Sequence, residues 1–515
     1  MAQVTVQSGG YATIPGSGTL NVTLQNQIAS AILAAATAPG AHLFTATVPA
    51  SSGPSVPAVP GQIGTVAEAL ITDAGGNSYS FNGSYGYILD NATGIDTISV
   101  APSTGVISGT VGGVFNLTGG DSVALGGGNN LVQSSISSSF LPGDYVVAGS
   151  GNDTITEAGG GTLPGGGSTI AGGGGTNVLL AKSTAGSVTF ISSGVGDTIG
   201  AGATIDVVTF DSVASGGVAF GGAGSTLTVT DFGTNDSIAG LSAASITATM
   251  SGSRGILFGG SANTLSALDT GTNDTISGQG AGSMTVTLSG SGGVAAVGSG
   301  AATISATGTT AAQIIGGSGS LVFLGGAGTS TVRGGTGGTS IVGGSGGLVV
   351  SALHGATSVT GGSGVVTLFG GAGSDVMYSS SASGLVYVAG AGSETLNASG
   401  STGNNSLSGG TVGGTNLQMT AGSGNDTLMG GAGNNTLAGG SGHDLFAFFS
   451  GNGGGQDSLV NLTSSDTVAL IGYSLTDASN MSTLSGSSQS PGAVSYKLSD
   501  GTQISFMTGS GVHII

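Results

Sequence analysis

The sequence predicts an all-β fold: a right-handed parallel β-roll or β-helix solenoid, with a small N-terminal α+β cap and a C-terminal β cap. Three observations carry this. Glycine supplies 109 of 515 residues and gathers in Gly-Gly-x-Gly groups. Over long stretches those groups recur every nine residues, as at Gly316, Gly325, Gly334 and Gly343. Between them stand short runs with a large apolar residue, such as Leu428, Leu437 and Phe446. A unit of one tight turn and one short strand cannot bury an apolar face alone, so successive units must stack.

The elements follow in chain order. Residues 1–48 form an N-terminal strand and helix segment: Val4 to Val6 and Leu20 to Leu24 alternate as short strands do. Ile28, Ala31, Ile32 and Ala35 sit at helical spacing and are the best helix candidate in the chain. This helix reads as a cap over the first coil, with an anchor to a partner or cell surface as the alternative. Residues 49–60 hold Pro49, Pro54, Pro57 and Pro60 and read as a Pro-rich linker. Residues 61–90 read as a small β element. Its aromatic cluster of Tyr79, Phe81, Tyr85 and Tyr87 reads as packing, with a sugar-binding face as the alternative.

Residues 91–315 read as an irregular β-solenoid. Here an Asp followed by Thr or Ser and an aliphatic residue recurs at Asp96, Asp121, Asp153, Asp197, Asp236 and Asp274. Residues 316–447 carry the nine-residue frame almost without interruption, about seven coils or about 35 Å at strand spacing. Position six of the early units is Leu321, Ser330, Thr339 and Leu348, none a good cation ligand; Asp375 and Glu394 restore an acid later. Residues 448–515 change texture and read as a C-terminal β cap, with a hairpin turn at Asp500-Gly501.

Composition narrows the function. Four basic residues (Lys182, Arg254, Arg333 and Lys497) against 23 acidic ones give a net charge of −19, which excludes nucleic acid as a partner because phosphates need Lys and Arg. Cysteine is absent, so there are no disulfides or thiolate sites. No apolar run is long enough to span a bilayer, and the first residues lack the basic and apolar regions of a secretory leader. There is no His-Glu-x-x-His. Gly343-Gly-Ser-Gly-Gly347 mimics a nucleophile elbow only because glycine is so common. The four histidines form no cluster, so no enzyme is expected.

The most specific stretch is Ala421 to Ala447, three nonapeptides in register. Each is a glycine turn, an acidic or amide residue at position six, and a short apolar strand. Glycines allow φ > 0 and leave carbonyls exposed, and Ca²⁺ takes six to eight oxygens from carbonyls and carboxylates. Two units make one coil, so Asp426 and Asp444, 18 residues apart, fall on one edge and Asn435 on the other. The candidate metal residues are Asp426, Asp444, Asn435, Asp375, Glu394 and Asp153, with the turn glycines Gly422, Gly424, Gly431, Gly433, Gly440 and Gly442.

These nonapeptides, with the turn at Asp153, resemble the RTX (repeats-in-toxin, hemolysin-type calcium-binding) family. The resemblance implies a parallel β-roll, calcium in the turns, and type I secretion reading an uncleaved C-terminal signal within 448–515. The expected function is a secreted structural solenoid that self-associates into a fibre, biofilm matrix or surface layer. The alternative is a calcium-dependent adhesin or binding module for carbohydrate or ice, with a secreted enzyme ranked third; cell-surface polysaccharide is a further candidate partner.

Overall fold

The computed structural model describes residues 2–5, 11–14, 19–37, 42–48, 56–59, 65–109, 111–136, 141–158, 167–182, 186–261, 264–410, 416–452, 454–485, 494–507 and 513–515. Most of the expected proline-rich linker lies outside them. The chain is an all-β parallel solenoid of about 21 turns with little helix. It divides into two units, Met1–Ala267 and Leu268–Ile515.

From Thr65 onward in the first unit, successive strands alternate between two parallel sheets, so each coil contributes one strand to each. The first sheet takes His42–Val48, Thr65–Ile71, Tyr85–Asp90 and Gly105–Ser108 in order; the second takes Ser78–Ser80, Thr97–Ser99 and Val114–Leu117. Side chains alternate in and out with the period of two that any strand imposes. Equivalent inward residues therefore stack. Ile88, Val106, Val123, Val146, Ile170, Phe190 and Val208 form one buried column. Tyr79, Ile98, Phe115, Val132 and Ile155 form another on the facing sheet. Residues 65–90 pair in these same ladders. Tyr79, Phe81 and Tyr85 are buried, with ring centroids 6.3 and 5.3 Å apart, so this part of the aromatic cluster is core rather than a sugar-binding face.

A helix, α1 (Thr19–Thr37), lies on the outward face of the first sheet in this unit. Leu24, Ile28 and Ile32, four residues apart, share one face. They bury against Leu89, Ile107, Ala124, Val147 and Ala171. Those five are themselves one outward column in register. The strand expected at Leu20 to Leu24 is instead the start of this helix: a local alternation yields to the longer i, i+4, i+8 stripe, which has an apolar strip of sheet to cover. α1 covers the flank of several coils.

The second unit repeats the design in its most regular form. Leu321–Leu324, Ser330–Arg333, Thr339–Val342 and Leu348–Ser351 alternate between sheets, and Leu321 pairs with Thr339 while Ser330 pairs with Leu348. One nonapeptide is thus a turn plus a strand, and 18 residues make a coil. Position six faces inward: Leu321, Ser330, Thr339 and Leu348 are all buried. Past residue 447, Gln456–Val460 and Thr467–Ile471 extend the two ladders. A second helix, α2 (Leu475–Ser485), follows. Val494–Lys497 then pairs antiparallel with Gln503–Phe506, around the turn where Gly501 takes φ +96°.

Glycine is required where turns stack. A Cβ at Gly440 would lie 2.0 Å from the Gly422 carbonyl oxygen, and Gly440 also has φ +98°. Gly338 has open space around its missing Cβ. Gly440→Ala is expected to lower the unfolding midpoint strongly and Gly338→Ala hardly at all; thermal denaturation of both variants checks this.

Candidate metal centre

Position six points into the coil, so an acid there enters the interior at the corner where strand meets turn. Asp153, Asp375, Glu394, Asp426, Asn435 and Asp444 are all buried. A buried carboxylate must find donors, and the stacked backbone provides them. One Asp426 oxygen accepts from the Asn405 backbone N–H at 2.6 Å and its side-chain amide at 2.8 Å, and the other accepts from Gly422 N–H at 3.1 Å. The Asp426 N–H donates in turn to Asp444 Oδ1 at 2.9 Å, and the Asp444 N–H to Asp466 Oδ1 at 3.0 Å. Each acid thus receives the N–H of its counterpart one coil earlier, making a ladder along one edge.

The other edge carries the same device. Asp457 Oδ1 accepts from the Asn435 backbone N–H at 3.2 Å and its amide at 2.7 Å. Asp375 accepts from Thr357 N–H and Gly371 N–H, both at 2.9 Å. Glu394 sits one strand over from Asp375, because Val376 pairs with Thr395. It accepts from Gly390 N–H at 2.9 Å and from the Tyr387 hydroxyl. In the first unit, Asp153 accepts from the Asn130 N–H and amide, both at 2.8 Å, and its own N–H donates to Asn177.

The ladder thus joins Asp426 to Asp444 and, beyond the sequence candidates, to Asn405 and Asp466; it joins Asn435 to Asp457 and Asp153 to Asn130 and Asn177. Asp457 and Asp466 escape a strict nine-residue reading because their coils are longer: each lies 22 residues from its partner rather than 18. The recurring Asp-Thr or Asp-Ser phrase does mark them. His443 is exposed, and its N–H donates to Asn425 Oδ1 at 3.0 Å as part of the turn.

Two features fit a hard cation. Several buried oxygens lack a partner, among them Asp444 Oδ2, Asp457 Oδ2, Asp153 Oδ2 and Asn435 Oδ1. The turn carbonyls crowd the same corner: those of Gly422 and Gly424 lie 2.0 and 2.2 Å from where side chains on Gly440 and Gly442 would begin. Gly433, Gly440 and Gly442 have positive φ; Gly422, Gly424 and Gly431 do not and are needed for the close approach. Among the described residues no three ionisable ligand side chains converge, so the donor set is carbonyl oxygen with isolated carboxylates, which suits Ca²⁺ rather than a nitrogen- or sulfur-seeking metal.

Burial dominates the acids' protonation. It raises Asp444 from 3.8 to about 6, opposed by the Asp426 N–H and assisted by the neighbouring Asp466 and Asp426 charges. Burial raises Glu394 to about 7, with Asp375 adding to the shift. Asp457 rises to about 7 and Asp153 to about 6, again through burial.

The model of the RTX calcium-binding nonapeptide repeat (4 copies) matches residues 143–156, 355–383 and 420–459. These stretches therefore carry RTX calcium-binding repeats, and they hold Asp153, Asp375, Asp426, Asn435, Asp444 and Asp457. No curated protein matches the chain.

Two outcomes follow. Asp426→Ala with Asp444→Ala should weaken calcium binding by isothermal titration and loosen the C-terminal third in hydrogen exchange; an unchanged titration would remove these residues from the site. The raised acids also set a sign for pH. Their folded values exceed the unfolded ones, so without metal the stability they contribute is complete below about pH 4 and lost as pH rises through 6 to 7. Melting scans in chelator should show the midpoint falling across that window, and calcium should restore it most at the upper end.

Proposed function

We propose that the protein is a secreted, calcium-binding structural solenoid that self-assembles outside the cell into a fibre, biofilm matrix or surface layer. Calcium would be held by Asp426, Asp444 and the carbonyls of the stacked turn glycines on one edge, and around Asn435 and Asp457 on the other. It would replace the protons that burial favours on Asp444 and Asp457 and so tie coil to coil. Glu394 with Asp375, and Asp153, would hold further ions. Export by a type I system fits the repeat, and no helix among the described residues is long and apolar enough to cross a membrane.

The observation that carries self-association is the outward face of the second unit. Phe369 and Val388 are paired on neighbouring strands with Val386 beside them, all well exposed. On the other sheet Leu324 and Val342 stand exposed in register. A contiguous apolar surface on a chain with few charges favours a partner over water, and a repeated contact between identical copies gives open filaments or sheets. Electron microscopy with millimolar calcium should reveal fibres or sheets that vanish in chelator, and Phe369→Asp with Val388→Asp should abolish them. Single, unassociated particles in every condition would count against this reading.

A second reading has its own observation. In the first unit Thr209, Thr230 and Thr249 form an outward column, and Thr228 and Thr247 stand beside it. Spacings of about 4.8 Å between strands and about 6.6 Å along them present hydroxyls and methyls as a flat, uncharged lattice, the surface an ice-binding module needs. Thr230→Lys with Thr249→Lys should abolish any inhibition of ice recrystallisation; a wild-type protein with no such activity would dispose of this reading.

A further inference from the structure

We propose that the first unit binds a neutral saccharide in the groove between α1 and the first sheet. The site is independent of filament formation and of the calcium turns. It follows from one outward column next to the apolar column that α1 covers. Glu68, Tyr87, Gly105, Ser122 and Tyr145 are consecutive neighbours across strands. Two large aromatic residues are therefore separated by a glycine and a serine, whose small size leaves a slot in the sheet face between the rings. α1 walls this slot with Leu24, Gln27, Ile28 and Ala31, enclosing about 470 Å³, within the usual range of about 300–1,000 Å³ for small-molecule pockets.

The slot is shaped by its neighbours. The Tyr87 ring reaches over Gly105: a Cβ there would lie 2.8 Å from Tyr87 Cδ1 and 3.4 Å from an Ile28 methyl. Tyr145 closes the far end, two strand spacings or about 10 Å beyond Gly105. The adjacent column shows that α1 can fill such space when the sequence allows, because Leu89, Ile107, Ala124 and Val147 are fully packed beneath it. Here Gly105 yields its side-chain space to the Tyr87 ring, and Ser122 stands where bulk would have sealed the gap.

The lining chemistry selects the ligand. Two phenol rings offer faces and hydroxyls suited to the C–H faces and hydroxyls of a pyranose. Gln27, Ser103 and Ser122 add neutral donors and acceptors at the walls. Among the described residues no charged side chain lines the slot, which disfavours uronic acids, sulfated sugars and phosphates. Beside Tyr87 in the column, Glu68 accepts from the Thr45 hydroxyl at 2.6 Å through one oxygen and leaves the other buried without a partner. A purely apolar occupant would leave the amide and hydroxyls of this lining unsatisfied.

The test is affinity electrophoresis of the full chain in calcium through gels containing soluble β-glucan, galactan, mannan or, as the charged control, polygalacturonate. Retardation by at least one neutral polysaccharide is expected. Ser122→Leu, which fills the slot, and Tyr145→Ala should each weaken that retardation by about tenfold. Phe232→Ala, at an exposed site elsewhere in the unit, should leave it unchanged. Melting midpoints measured in parallel identify a variant that has merely unfolded, and Tyr145→Phe, which keeps the ring, should retain most binding. Absence of retardation by every neutral polymer, retention by polygalacturonate alone, or full binding by folded Ser122→Leu would each overturn the proposal.

Discussion

Everything in this molecule depends on backbone hydrogen bonds between one coil and the next. Strands of two to seven residues bury too little apolar surface to hold a shape alone. What holds them is that N–H and C=O groups find partners above and below, while inward side chains stack in columns such as Ile88, Val106 and Val123. Parallel stacking demands that turns as well as strands superimpose. Hence glycines sit where a carbonyl of the previous coil occupies the space of a side chain, as Gly422 O does at Gly440.

The same stacking explains the acids. A corner where turn meets strand leaves a backbone N–H facing the next coil, and an inward Asp answers it, as Asp444 answers Asp426. Asp444 is hydrogen-bonded there yet short of positive charge, so burial drives it toward the protonated form. A cation that brings charge without breaking the stack resolves the conflict. In coils with Leu321 or Leu348 at position six the corner is apolar and has no such requirement. The protein therefore combines coils whose corners close by apolar packing with coils whose corners hold a buried acid.

The outward faces are free of this constraint, and they differ along the chain. Under α1 the first unit's outward column is Leu89, Ile107, Ala124, Val147 and Ala171; farther along, the same column becomes Thr209, Thr230 and Thr249. In the second unit Leu324, Val342 and Phe369 face solvent. One interior architecture thus carries three unlike surfaces: covered, hydroxyl-rich and apolar.

The sequence by itself determined the coil. Nine-residue glycine spacing, one large apolar residue per strand and the absence of long apolar or basic runs specify stacked parallel strands, and they locate the acids at Asp153, Asp375, Asp426 and Asp444. Local periodicity suffices because each unit interacts chiefly with its own copies. Only the tertiary structure decided which acids meet, where α1 lies and what lines its groove. Coil length varies between 18 and 22 residues near the C-terminus, so the pairing of Asp444 with Asp466 and Asn435 with Asp457 follows from register rather than from a fixed count. The helix could be read from Ile28 and Ile32, but not its place, since its apolar stripe matches any apolar strip. That strip exists only when residues about 20 apart align across strands. Tyr87 and Tyr145 become the two ends of one slot for the same reason: strand pairing brings Gly105 and Ser122 between them.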